Sequence, residues 1–293
     1  MDWSNLTRYF SPDISSMNPM KDSLDVVSAA RPKKSLGQNF LTDRNITEKI
    51  VAGLDITPEN TVFEIGPGRG ALTELLNTRS RRLYVLEKDR NLILALKQKM
   101  PYVQAICGDG LTFVWERLAG LESLKLVGNL PYNVASPMMW EIFSRLSRFE
   151  RACFMVQKEV AGRLVAQPGT KAYGGLSVWI QTFVTPQILF HVSPGSFHPR
   201  PKVDSTVVGF VPKMVVGVHR RALTRTIHEL FQKRRKQLGT ILKTYWGPAL
   251  EAWLDLEGLE RTVRPEVLTP LQFHGLAEVL EKSWETLAYQ NYP

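Results

Sequence analysis

Between Thr61 and Val156 the hydrophobic positions fall into short runs separated by segments of helical periodicity. Thr61-Val62-Phe63-Glu64-Ile65 is a β-prone run that stops at the glycine cluster Gly66-Pro67-Gly68-Arg69-Gly70, and Ala71-Leu72-Thr73-Glu74-Leu75-Leu76 then reads as a helix. Arg82-Leu83-Tyr84-Val85-Leu86 is the next strand, which completes a strand, turn, helix, strand unit. The alternation goes on with a helix at 91–100, strands at 103–107 and 124–127, a helix at 137–146 and a strand at 151–156. Strands separated by helices must cross over to pair in parallel, with helices on both faces, so the pattern predicts an α/β fold with a doubly wound, Rossmann-like sheet. Ligands of such sheets bind beyond the carboxyl ends of the strands.

After about Pro212 the strand signals stop and the chain reads as helices with short turns. Ile227, Leu230, Phe231, Leu238 and Ile241 share one face of a single predicted helix, with Lys233, Arg234, Arg235 and Lys236 on the other. The expected organisation is a flexible extension at 1–31, a Rossmann-like domain at 32–212 and a smaller helical domain at 213–293.

Composition excludes several classes. The 293 residues include 44% hydrophobic positions and seven tryptophans, enough for a proper core. Two cysteines, Cys107 and Cys153, are too few for a disulfide scaffold or a structural zinc site, so a reducing cytoplasmic setting and no metal are expected. No run approaches the roughly 18 apolar residues of a spanning helix, and 1–31 lacks a basic start and an apolar stretch, so no membrane association or export is expected. Lys and Arg exceed Asp and Glu by 37 to 28, a net charge of +9. Nine of these basic residues and a single acid, Glu229, fall between Lys213 and Lys243. So one-sided a stretch points to phosphates rather than to an ordinary solvated face.

The candidate chemistry gathers at predicted strand ends. Glu64-x-Gly66-x-Gly68-x-Gly70 departs from the dinucleotide fingerprint and is weak alone, yet Glu87 follows about 20 residues downstream, where a carboxylate accepts both hydroxyl protons of a ribose. Asp109, in Gly108-Asp109-Gly110, adds a carboxylate at the same edge, able to accept from an exocyclic amine. Singly, either acid reads as a cap or turn residue. The fourth strand ends in Gly128-Asn129-Leu130-Pro131-Tyr132. An exocyclic adenine amine is a poor nucleophile because its lone pair is delocalised into the ring. The Asn129 side-chain oxygen and the Leu130 carbonyl can each take one amine hydrogen and draw that density back, while Pro131 stiffens the turn and Tyr132 offers a stacking ring.

These motifs resemble the ribosomal RNA adenine dimethyltransferases, from Lys33 to about Leu280. The resemblance rests on Leu36-Gly37-Gln38-Asn39-Phe40-Leu41, Glu64 to Gly70, Glu87-Lys88-Asp89, Gly108-Asp109, Asn129-Leu130-Pro131-Tyr132, Gln157-Lys158-Glu159-Val160-Ala161, Phe197-His198-Pro199-Arg200-Pro201-Lys202-Val203-Asp204-Ser205 and Phe231-Gln232-Lys233-Arg234-Arg235-Lys236. It implies S-adenosylmethionine as methyl donor and N6-dimethylation of two adjacent adenines in the 3′-terminal hairpin loop of small-subunit (16S) rRNA, by a monomer acting in ribosome biogenesis. Gln38, Asn39 and Leu41 would close over the methionine end of the cofactor. Glu64 and Gly66 would line its carboxypropyl and sulfonium region, Glu87 would bind the ribose, Asp109 the adenine, and Asn129 would meet both cofactor and target. Gly68, Lys88 and Gly110 would also bind the cofactor. Phe197 would stack on the target base opposite Tyr132, and Lys202, Lys233, Arg234, Arg235 and Lys236 would hold RNA phosphates.

Two other readings stay open: a relative that dimethylates one adenine in large-subunit (23S) rRNA and confers macrolide resistance, and a weakly catalytic assembly or transcription factor of the same fold. Asp204-Ser205, the run Tyr173 to Val178 and the basic Phe231 to Lys236 segment favour the small-subunit group. Residues 1–31 hold four acids and three bases, unlike a transit peptide. That extension exceeds the bacterial pattern, with Met17 and Met20 as alternative starts, and Gly174-Gly175 replaces an expected Gly-Arg.

Overall fold

The computed structural model describes residues 37–146, 148–215 and 217–290. The segment read as a flexible extension, 1–31, lies outside the described residues. Strand β1 (Phe40–Leu41) leads into helix α1 (Arg44–Gly53), whose N-cap Asp43 accepts from the amides of Asn45 and Ile46 at 3.0 and 3.3 Å. The predicted alternation follows as β2 (Thr61–Ile65), α2 (Ala71–Arg79), β3 (Arg82–Glu87), α3 (Arg90–Lys99), β4 (Gln104–Cys107), β5 (Leu124–Asn129), α4 (Ala135–Arg145) and β6 (Arg151–Gln157). The chain continues through α5 (Lys158–Leu164), α6 (Gly175–Phe183), β7 (Val184–Val192), β8 (Phe197–His198) and β9 (Ser205–Pro212).

Seven strands form one sheet in the order β4-β3-β2-β5-β6-β9-β7. The first five pair in parallel, in register from Thr61 opposite Arg82 to Lys125 opposite Arg151. Strand β2 is buried along its whole length because helices cover both faces, which is why it reads as a continuous run rather than an alternating one. Phe63, Phe113 and Trp115 pack as one aromatic group, with ring centroids 4.9 to 5.9 Å apart. From β2 the chain winds outward through β3 and β4, then returns to β5 on the other side, so the order reverses between β2 and β5. The sheet is not wholly parallel: β9 runs antiparallel to β6, from Ala152 opposite Phe210 to Gln157 opposite Ser205. That reversal brings the first residue of β9 to the carboxyl end of β6. A separate ribbon pairs β1 with β8, Phe40 opposite His198 and Leu41 opposite Phe197.

The chain divides into two compact units, one holding residues up to Ala161 with Gln187–Pro212, the other Gly162–Pro186 with the chain from Lys213 on. The boundary predicted at 212 therefore needs correction for Gly162–Pro186, which belongs with the helices. The cause is α6, where six consecutive residues from Ser177 to Thr182 are buried. A helix enclosed on every side needs several neighbours. Those of α6 include α7 (Arg220–Gln232) and α10 (Pro270–Gln290). Gly175 permits the approach, since a Cβ there would lie 2.9 Å from Ile227 Cγ2. Tyr173 also donates its hydroxyl to the Leu268 carbonyl at 2.8 Å.

The single helix predicted through 227–241 is broken. Helix α7 stops at Gln232, residues 233–237 form a turn, and α8 (Leu238–Ile241) starts afresh. After the turn the backbone pairs elsewhere, the Leu238 amide donating to Val263 and the Gly239 amide to Arg261, both at 2.9 Å. A ninth helix, α9 (Pro248–Leu256), precedes α10. Arg234 pins the turn: its guanidinium donates to a Glu266 carboxylate oxygen at 2.6 Å and to the carbonyls of Lys171 and Thr170 at 3.1 and 3.0 Å. This three-way geometry fits a planar fork and not an ammonium. Arg234→Ala should therefore destabilise the helical unit by about 1–3 kcal/mol, and Arg234→Lys should restore little of it. Denaturant melts of the two variants check this.

Candidate active site

A cleft of about 970 Å³, its open mouth included, lies at the carboxyl ends of β2, β3, β4 and β5, beside the point where strand order reverses. Gly66, Gly68, Glu87, Asp109, Gly110 and Asn129 all line it. The β2 loop needs glycine: Gly68 has φ +55°, and a Cβ on it would meet the Phe40 ring at 2.9 Å. Near the carboxyl end of β5, a Cβ on Gly128 would lie 2.6 Å from the Ile65 carbonyl oxygen, a clash no side-chain motion relieves.

The three acids have three environments. The Glu87 carboxylate is 8% exposed and accepts from the amides of Asp89 and Gly68 at 2.9 and 3.3 Å. Burial raises its pKa despite these bonds. Asp109 accepts from Lys88 Nζ at 2.8 Å and from the Leu111 amide at 3.0 Å, and the lysine holds its carboxyl below the usual range. Lys88 lines the cleft as the ion-pair partner of Asp109. Trp115 donates its indole N–H to the Gly110 carbonyl at 3.0 Å and so fixes the same loop. Glu64, expected to line a cofactor, instead lies beneath the glycine loop at 1% exposure. Thr73 of α2 donates its hydroxyl to Glu64 at 2.7 Å, and burial pushes the Glu64 pKa up to about 8.

Opposite these acids, the turn after β5 presents the candidate catalytic group. Asn129 donates its side-chain amide to the Asn39 carbonyl at 2.9 Å, which leaves Oδ1 as the end able to accept from a ligand. The Leu130 amide donates to the Met155 carbonyl at 3.2 Å and the Val134 amide to the Pro131 carbonyl at 3.0 Å. Leu130, Pro131 and Tyr132 line the cleft with Gln38 and Asn39.

Besides Glu64, two predicted site residues stand elsewhere. Leu41 and Phe197, opposite each other in the β1–β8 ribbon, are 7% and 4% exposed and belong to the core beside Val192 and Val207. Leu41 therefore offers no surface to a cofactor, and Phe197 no face to a base. The ribbon pairs them because both are apolar on its covered side. Among the basic residues, Lys202 is exposed on a shallow groove with Lys158 and Asp204, while Lys233, Arg235 and Lys236 are exposed on the turn of the helical unit. Arg234 is partly buried and ion-paired with Glu266.

The reading of the sequence missed Met138 of α4, which lines the cleft, and gave no role to Ser205, whose Oγ lies 2.6 Å from the Tyr132 hydroxyl. Ser205 closes the Pro-Lys-Val-Asp-Ser segment, but only the β6–β9 register brings it to this edge. Among the described residues no group of three or more His, Cys, Asp or Glu could hold a metal ion, and no helix is long and apolar enough to cross a membrane.

A parallel sheet with one antiparallel strand and a glycine-loop cleft defines a Rossmann-like methyltransferase fold. It is shared with a dimethyladenosine transferase from Plasmodium falciparum (TM-score 0.70, 23% identity, 84% of this chain and 98% of that one) and with the 23S rRNA methyltransferase ErmE (TM-score 0.64, 24% identity, 83% and 100%). The family model for ribosomal RNA adenine dimethylase matches residues 29–282, and the chain belongs to that family. Relatives named ribosomal RNA small subunit methyltransferase A include those of Oleidesulfovibrio alaskensis, 49% identical over 87% of this chain and 93% of that protein, and of Acinetobacter baylyi, 38% identical over 92% and 97%.

Glu64 gives stability a pH dependence. Its carboxyl keeps a proton up to about pH 8 when folded, against an ordinary pKa of 4.5, so unfolding in that window releases a proton. Stability contributed by this group is full below pH 4.5 and falls as pH rises, by at most about 1.4 kcal/mol per unit. Glu64→Gln should flatten that slope, as urea melts at pH 5.5, 6.5 and 7.5 would record.

Proposed function

We propose that this chain dimethylates the N6 amines of two adjacent adenines in the 3′-terminal hairpin loop of small-subunit rRNA, with S-adenosylmethionine as donor, as a cytoplasmic monomer. The observation that carries the chemistry is the Asn129 amide bound to the Asn39 carbonyl. It fixes which end of the side chain faces a ligand. The substrate follows from the relatives' names and from the family motifs.

The cleft fits the donor. Glu87, with two backbone amides already on its carboxylate, retains lone pairs for a ribose diol, and Asp109 can accept an adenine amine. Gly66 and Gly68 allow close approach of a ligand to backbone, and Gln38 and Asn39 border the same space. The donor, when bound, supplies a methyl group already activated on a sulfonium. The protein's share is then positioning and electrostatics. Asn129 Oδ1 and the Leu130 carbonyl hold the two amine hydrogens, so that the nitrogen lone pair turns toward the methyl. Tyr132 supplies the face on which an unstacked base rests. No base of tuned pKa is needed, because the amine proton becomes acidic only once nitrogen has been alkylated. Lys202, Lys233, Arg235 and Lys236 hold flanking phosphates, and single-stranded loops are read by splayed, stacked bases.

Labelled methyl transfer to undermethylated small subunits, large subunits and naked RNA, with mapping of the modified bases, tests the substrate. Label confined to two adjacent adenines of the small subunit is expected. Label in large-subunit RNA would favour the macrolide-resistance reading. Asn129→Ala should lower kcat by on the order of 100-fold with cofactor Kd little changed; a wild-type rate would sink the assignment. Neutralising Lys233, Arg235 and Lys236 together should weaken RNA binding and reduce the slope of log K against log salt by roughly 0.7–0.9 for each phosphate no longer held.

A further inference from the structure

We infer that Ser205 is a positioning residue for the target base, acting through the Tyr132 hydroxyl it holds. The inference rests on the proposed adenine substrate. Phe197 is buried in the core at 4% exposure, and of the two aromatic rings that line the cleft, Phe40 and Tyr132, it is Tyr132 that belongs to the same turn as Asn129. Stacking tolerates sliding but not tilting, so the plane of that ring decides whether the amine meets Asn129 Oδ1 and the Leu130 carbonyl together.

Tyr132 sits in the turn after β5, outside any helix or strand. Its hydroxyl lies 2.6 Å from Ser205 Oγ. Ser205 is fully buried, and its backbone is locked by the sheet: it opposes Gln157 across the β6–β9 pair, and the adjoining Lys158 amide donates to the Asp204 carbonyl at 3.0 Å. A hydroxyl on a buried strand is a rigid anchor for a ring on a turn. The tether has a second consequence. A Tyr132 hydroxyl committed to Ser205 presents its ring face, not its oxygen, to the base, which leaves hydrogen-bond reading to Asn129 and Leu130.

The bond can be removed from either end, and a double-mutant cycle isolates it. Tyr132→Phe keeps the ring and leaves the core untouched; Ser205→Ala removes the anchor. Each should lower kcat/KM for RNA roughly tenfold, and the double variant should be no worse than either single one. Cofactor Kd should stay at the wild-type value, and Tyr132→Phe, which leaves Ser205 in place, should lose as much kcat/KM as Ser205→Ala, which a merely structural role for Ser205 would not produce. In a Tyr132→Leu background, Ser205→Ala should have no further effect on kcat/KM. Additive losses in the cycle, or either single variant at wild-type kcat/KM, overturn the inference while methylation by the wild type keeps the substrate reading intact. A wild type that methylates no RNA overturns that reading, and this inference with it.

Discussion

Five parallel strands held in one register end at one edge, and the site depends on that constraint. Parallel pairing aligns the carboxyl ends of β2, β3, β4 and β5, so loops separated by up to about sixty residues of chain converge, and bonds such as Gly68 to Glu87 and Lys88 to Asp109 then tie neighbouring loops together. The reversal of strand order between β2 and β5 then opens a crevice, because the connections on its two sides leave in opposite directions. Gly128 shows how tight the seam is: no Cβ fits against the Ile65 carbonyl. A residue larger than glycine there would part the two strands whose ends carry the glycine loop and Asn129.

Burial sorts the acids that this edge collects. Glu64, Glu87 and Asp109 all lie at or near strand ends, yet one is sealed beneath the loop, one is buried with two amides on its carboxylate, and one is paired with Lys88 near solvent. Desolvation favours the neutral form, while amides and a lysine favour the charged form. Glu64 therefore serves as a protonated tie between β2 and α2, through Thr73. Asp109 stays ionised. A ligand offering hydroxyl or amine donors gains most from Glu87 and Asp109, the two that the cleft exposes.

What the sequence made legible was local in origin. Strand, glycine turn and helix are nearest-neighbour signals, so β2 through β6 and the loops after them emerged from periodicity and glycine spacing. What it left unread depends on distant partners. Asn129 finds the Asn39 carbonyl across 90 residues and Tyr132 finds Ser205 across 73, and neither pairing has a periodic signature. Phe197 looked available because prolines flank it; pairing with β1 buries it. The break after Gln232 was hidden for a similar reason. Its apolar residues keep helical spacing across the turn, but the backbone beyond prefers Val263 and Arg261 as partners.

That break gives the basic stretch its form. Four cations in succession repel one another, and on a regular helix they would spread around the axis at about 100° per residue. A turn gathers them instead, and Arg234 makes it tolerable by directing its charge inward onto Glu266 and two carbonyls. The repulsion falls by one partner, and the turn acquires a fixed shape. Lys233, Arg235 and Lys236 remain outside, exposed and held by the backbone that Arg234 anchors. Sequence counts four equivalent cations here; the fold leaves three of them exposed and makes the fourth a clamp.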